Sequence, residues 1–178
     1  MSREEILARV RRNQPPAVAL PEVPAFDAAL ADFRLSLERM GGTCASSLDI
    51  PGMFPHAKVV VSTVPEVQGN RALPEDPRQL EDVDVAVVRA RLGVAETGSV
   101  LLTEDDFKVN ALGFLPQHLV VLLDPKAIVP DLHHAYRDRA FREARYAVLM
   151  TGPSATADIE GILVRGAQGI RSLTVVAG

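Results

Sequence analysis

Residues 146–160 read Y-A-V-L-M-T-G-P-S-A-T-A-D-I-E. An apolar run over 146–150, then Gly-Pro-Ser, then Ile159, Ile162 and Leu163 at helical spacing predict a strand, a tight turn and the start of a helix. Ser154 has the chemistry of an N-cap, because its hydroxyl can accept from an unpaired amide two or three residues on, and Gly152 and Pro153 shape the turn before it. Amides left over at such a turn face the mouth of a sheet and can hold an anion. Two readings follow. In one, the turn only starts a helix, with Asp158 and Glu160 complementing the positive end of its dipole. In the other, it is a ligand cradle whose polar groups include Ser154, Thr156 and Asp158.

Outward from this stretch, apolar runs of strand length recur at 57–62, 83–88, 100–103, 119–123 and 173–176, with a short one around Cys44. Between them lie helical patterns. From Phe26 the residues Leu30, Phe33, Leu37 and Met40 repeat every three or four positions, and Gly41-Gly42 supplies the stop. Residues 133–144 carry a solvated face of Arg137, Asp138, Arg139, Arg142 and Glu143, with Pro130 suited to a first turn. Short, doubly apolar strands alternating with helices predict an α/β layered fold with a mostly parallel sheet. Ligands in such sheets bind beyond the carboxyl ends of the strands, and the turn at 151–154 reads as one of those ends.

Ahead of this core, Ser2 and Glu5 have the spacing of a capping box before Ile6, Leu7 and Val10, so a short helix is expected. Four prolines between positions 14 and 24 make the next segment extended. The division is an arm over 1–24 and one α/β domain over 25–178. The 178 residues carry a net charge of -4, no Trp and two Tyr, which argues against a phosphate-backbone footprint or base-stacking platforms. No apolar run approaches the roughly 18–20 residues of a membrane span. Charged residues at the start and no apolar leader predict a cytoplasmic location. The lone cysteine, Cys44, excludes an internal disulfide and any iron–sulfur cluster held by cysteines of this chain alone, and reads as a small core residue.

Two motifs carry a family likeness. G-V-A-E-T-G-S-V at 93–100 and T-G-P-S-A-T-A-D-I-E at 151–160, with P-Q-H-L-V-V at 116–121 and I-V-P-D-L at 128–132 between them, resemble the LUD (lactate utilisation) domain family, lactate utilisation protein C in particular. The resemblance implies a three-layer α/β/α sandwich similar to the sugar-isomerase and CoA-transferase group. It also implies a role in oxidising L-lactate to pyruvate, as an accessory component binding a small anionic ligand or partner subunits, beside iron–sulfur partner proteins that carry the cysteine clusters. Where the family pattern continues G-x-H-G-P, this chain has Gly166-Ala167-Gln168-Gly169-Ile170. Gln168 donates and accepts hydrogen bonds but does not take up a proton near neutral pH.

The candidate site residues are therefore Glu96 as the reactive carboxylate, with Thr97, Gly98, Gly152, Pro153, Ser154, Thr156 and Asp158 as ligand-binding groups. Glu96 and Asp158 are expected to converge near the amides at Ser154, with Lys108, Arg89 and Arg91 as basic residues available to offset them. The alternative is a stand-alone CoA-transferase-like or ligase-like enzyme acting on an acyl or phosphate-bearing molecule through Glu96. His118 is placed beside a buried strand, lining the pocket or satisfying a backbone group. His133 and His134 point in different directions on a helix and read as surface imidazoles rather than metal ligands.

Overall fold

The computed structural model describes residues 2–19, 21–22, 29–157 and 162–178. Phe26, Asp158, Ile159 and Glu160 lie outside these. The arm begins with helix α1 (Arg3–Arg12), whose Ser2 and Glu5 form the expected capping box. No residue of α1 is buried. Helix α2 (Leu30–Arg39) follows, then strand β1 (Thr43–Ala45), the single turn α3 (Ile50–Met53) and strand β2 (Val60–Ser62). Strands β3 (Val85–Arg89), β4 (Leu92–Val94) and β5 (Ser99–Thr103) lead to the turn α4 (Glu104–Phe107). The chain continues through β6 (His118–Leu123), β7 (Ile128–Val129), α5 (Leu132–Arg137), α6 (Arg139–Glu143), β8 (Ala147–Met150), β9 (Ala155–Thr156), β10 (Val164–Arg165) and β11 (Ser172–Ala177).

The fold is α/β around a central five-stranded sheet in the order β1-β11-β6-β3-β2. Every pair in it is parallel. The strands are apolar on both sides because both faces are covered. Ala86, Val88, Leu119, Val121, Leu173 and Val175 face Phe33 and Leu37 of α2, together with Val100, Leu102 and Met150. The alternate residues Val85, Val87, Val120, Leu122 and Val176 face Leu48, Ile50, Met53 and Phe54. This is the period-two alternation of a strand read off the sequence letter by letter.

A second sheet, β7-β4-β5-β8, supplies Val100, Leu102 and Met150 to that core, and its β4–β5 and β5–β8 pairs are antiparallel. Its other face, through Leu92, Val94 and Leu101, packs on Ala135 of α5 and Ala140 and Phe141 of α6. Strand length alone did not separate the two sheets.

Two local expectations change. No helix begins at Ser154: Ala155 and Thr156 form β9, paired antiparallel with β10, so Ile162 and Leu163 are exposed beside a hairpin and cover no core. The Ser154 amide donates to the Ile170 carbonyl at 3.1 Å, and its own carbonyl accepts from the Gly166 amide at 2.6 Å. With partners elsewhere in the fold, the turn leaves Ser154 no helix to cap. The helix expected over 133–144 is two helices, broken where Asp138 turns extended (ψ 143°) and accepts from the Ala140 amide at 2.7 Å. A residue that caps well competes with helix continuation. The stop after α2 is as read, with the Gly42 amide returning to the Leu37 carbonyl at 3.0 Å.

Candidate functional site

The two motifs meet. The turn after β4 is held by the Ala95 and Glu96 amides donating to the Val129 and Pro130 carbonyls, each at 2.9 Å. Thr97 Oγ1 lies 2.7 Å from Ser99 Oγ, and Ser99 Oγ is hydrogen-bonded to Thr151 Oγ1, fifty-two positions along the chain. Ser99 is buried, so this hydroxyl chain is shielded from water. Gly98 (φ +69°) and Gly152 (φ +68°) both abut the end of α2. A Cβ on Gly98 would stand 2.2 Å from the Leu37 nitrogen, and one on Gly152 would stand 2.5 Å from the Met40 oxygen. The glycines are there because backbone passes backbone.

The residues expected to cradle a ligand therefore divide. Gly98, Gly152 and Pro153 are buried, with both glycines packed on α2. Thr97 belongs to the hydroxyl chain, Ser154 is half-buried with its backbone engaged on both sides, and Thr156 is half-buried in β9. Asp158 is outside the described residues. Glu96 is exposed, and its Oε2 accepts from the Leu132 amide at 3.2 Å, at the start of α5. Beside it, buried Asp131 accepts through Oδ1 from the His134 amide and meets His134 Nδ1 at 2.8 Å, which holds its carboxyl below the usual range. Asp131 Oδ2 is buried with no hydrogen-bond partner among the described residues. Arg89 is paired with Glu66 and Arg91 with Asp106, so neither is a free counter-charge; Lys108 is exposed.

A cleft opens at the amino ends of the parallel strands, opposite the end that the strand pattern suggested. It has a volume of about 830 Å³. The cause is a register: Asp84 immediately precedes β3, Gln117 and His118 open β6, Arg171 and Ser172 open β11, and Thr43 opens β1. Since Val85, His118 and Ser172 are aligned across the sheet, their polar neighbours share one edge. Asp84 Oδ2 accepts from the Lys58 and Val59 amides at 2.7 and 2.9 Å, and these bonds keep its carboxyl below the ordinary range. His118 Nδ1 lies 2.8 Å from Ser172 Oγ, and its ring stacks on Phe54 with centroids 4.6 Å apart. Burial, seconded by the Arg171 charge and opposed by Asp84, holds the imidazole below its usual value, so it is neutral near pH 7.

Arg171 donates its amide to the Gln117 carbonyl at 2.7 Å, while its guanidinium pairs with no described carboxylate. Met53, Phe54, Pro55 and Ala57 form the apolar side of the cleft. Motif reading passed over Asp84, Arg171, Ser172 and Phe54. A signal did exist: three apolar runs are each entered through polar residues, and parallel pairing brings such entries to one edge. The motif junction is attached to the same end of the sheet, since Ser154 bonds Ile170 just ahead of β11 and Gly152 abuts Gly42 just ahead of β1. Among the described residues, no three His, Cys, Asp or Glu side chains group as a metal-binding set, and no helix is long and apolar enough to cross a membrane.

Known proteins are similar to this chain in sequence and fold. The chain is 32% identical over 101 residues to the uncharacterized protein YkgG of Escherichia coli, covering 53% of this chain and 44% of the relative. It is 29% identical over 103 residues to lactate utilization protein C of Halalkalibacterium halodurans (54% and 45%), and 32% over 101 residues to lactate utilization protein C of Bacillus pumilus (53% and 42%). It thus matches somewhat less than half the length of these relatives. A solved DUF162 family protein from Deinococcus radiodurans has the same fold, with a TM-score of 0.63 at 21% identity over 83% of this chain and 94% of that one. The profile of the LUD domain matches residues 70–177, a stretch that includes β3 to β11 and both glycine turns, and the chain belongs to the LUD domain family.

Proposed function

We propose that the chain is an accessory component of a cytoplasmic system oxidising L-lactate to pyruvate, binding a small anion and contributing no redox centre of its own. The electron-carrying groups belong, on this reading, to iron–sulfur partner proteins. The observation that carries the anion is Arg171: a guanidinium without a carboxylate partner among the described residues, at the rim of a cleft whose floor holds His118, Ser172 and Gln117. An always-charged planar donor beside neutral hydrogen-bonding groups is suited to a carboxylate. The Glu96-to-Ser99 and Thr151-to-Ser154 turns support this reading as the frame that seats α2 and the strand entries around the cleft. Glu96 itself, tied to the Leu132 amide, fixes the start of α5.

The test is reconstitution of lactate oxidation with cysteine-cluster partner proteins, with and without this chain. The expected result is loss of rate without it, and a reduced rate with Arg171→Ala at unchanged assembly. An equal rate in its absence overturns the proposal. Turnover of an acyl or phosphate substrate by the isolated chain, abolished by Glu96→Gln, would favour the transferase reading instead.

A further inference from the structure

We infer that the amino-end cleft takes a monocarboxylate with an apolar or aromatic tail, and favours it over a bare three-carbon acid. This rests on reading the cleft as the anion site. The first ground is size. At about 830 Å³ the cleft is in the range of sites that enclose ligands much larger than six heavy atoms. A three-carbon acid, occupying on the order of three waters' share of liquid or ~90 Å³, would leave most of it to solvent.

The second ground is chemical division. Arg171 and Ser172 stand at β11, His118 at β6 and Asp84 at β3, three adjacent strands of one sheet. Arg171 and Asp84 are thus two strand spacings apart, roughly 9–10 Å. An anionic head is attracted at one end and repelled at the other, which gives the ligand a direction. Its head rests at Arg171, Ser172 and Gln117. Its tail runs over His118 along the wall of Met53, Phe54 and Pro55. That wall has been left partly exposed although Phe54 and Met53 pack with the core cluster behind the sheet, so the unfilled apolar surface faces the cleft. An aromatic group extends the existing Phe54–His118 stack.

The experiment is calorimetric titration of the full chain at pH 7 with lactate, 2-hydroxyhexanoate and 3-phenyllactate, which share one head and differ in tail. Each methylene buried should tighten binding about fourfold, so 2-hydroxyhexanoate should exceed lactate by on the order of fiftyfold. Phe54→Ala should remove most of that gain, leaving 2-hydroxyhexanoate only a fewfold tighter than lactate in the same variant. Phe54→Leu, which keeps an apolar wall and guards against misfolding, should keep the aliphatic gain and lose the aromatic one. Arg171→Ala should weaken all three acids alike. Equal affinities for the three acids, still dependent on Arg171, would overturn the tail and leave the anion site standing. Failure of every acid to bind the wild type would overturn both.

Discussion

Replacing Gly98 by alanine tests whether the junction of the two glycine turns is a packing device. The added Cβ would meet the Leu37 nitrogen at 2.2 Å, its Cα at 2.5 Å and the Ser36 carbonyl carbon at 2.7 Å. All three are backbone atoms inside α2, and the first contact is roughly 1.3 Å short of an ordinary approach. No rotamer change relieves it, so α2 must shift as a body and carry Phe33 and Leu37, both fully buried, out of register with the sheet. The left-handed backbone (φ +69°) costs an alanine about 1–2 kcal/mol, and overpacking adds about 1–3 kcal/mol. The expected loss is therefore about 2–5 kcal/mol, a large share of the roughly 5–15 kcal/mol available to a domain. Urea unfolding followed by circular dichroism measures it. Gly98→Asn separates the two causes, because asparagine tolerates the left-handed region but keeps the Cβ. Asparagine should be almost as damaging as alanine. A loss below about 1 kcal/mol for alanine, or full rescue by asparagine, would show that close approach of α2 is not what the glycine serves.

Four other outcomes are expected. Ser99→Ala should cost about 1–3 kcal/mol by leaving Thr97 and Thr151 without their shared partner, and a double-mutant cycle with Thr151→Val should give strong coupling; additive losses would count against the hydroxyl chain. Because the folded His118 is held below its ordinary value near 6.5, the unfolded chain binds more protons just below that pH. Its contribution to stability is accordingly full above pH 6.5 and declines as pH falls through and below it; His118→Asn should flatten the wild-type slope between pH 7 and 5, and parallel slopes would refute the assignment. Leu119→Ala, in the middle of the parallel sheet and fully buried, should lower stability by about 2–5 kcal/mol in the same urea assay, with a loss under 1 kcal/mol contradicting the packing described. Glu96→Gln keeps an acceptor for the Leu132 amide and should leave the melting temperature close to wild type, whereas Glu96→Ala should loosen α5, seen as faster amide exchange at Leu132.

The site was legible to different depths. The motif turns were visible as Glu-Thr-Gly and Thr-Gly-Pro-Ser, yet their glycines read as turn-formers near a ligand when their partner is a helix end more than fifty residues away in sequence. Ser154 read as a helix cap because serine hydroxyls serve caps and turns alike, and only the Ile170 and Val164–Arg165 backbones choose between them. Arg171 carried only the signal shared by every polar entry to an apolar run, and that became specific once parallel pairing placed it beside His118.

What the sequence determined by itself is local and periodic. The doubly apolar runs at 85–88, 119–123 and 173–177 required a sheet covered on both faces, the capping box made α1, and Phe33 and Leu37 faced α2 inward. These follow from side-chain spacing and from the cost of exposing apolar surface. The tertiary structure alone decided that two sheets share the core, that the T-G-P-S turn leads into a hairpin, and that the cleft opens at the amino ends of the strands. Those outcomes depend on which distant backbone groups become partners, and hydrogen-bond pairing between strands leaves no periodic trace in the strands themselves.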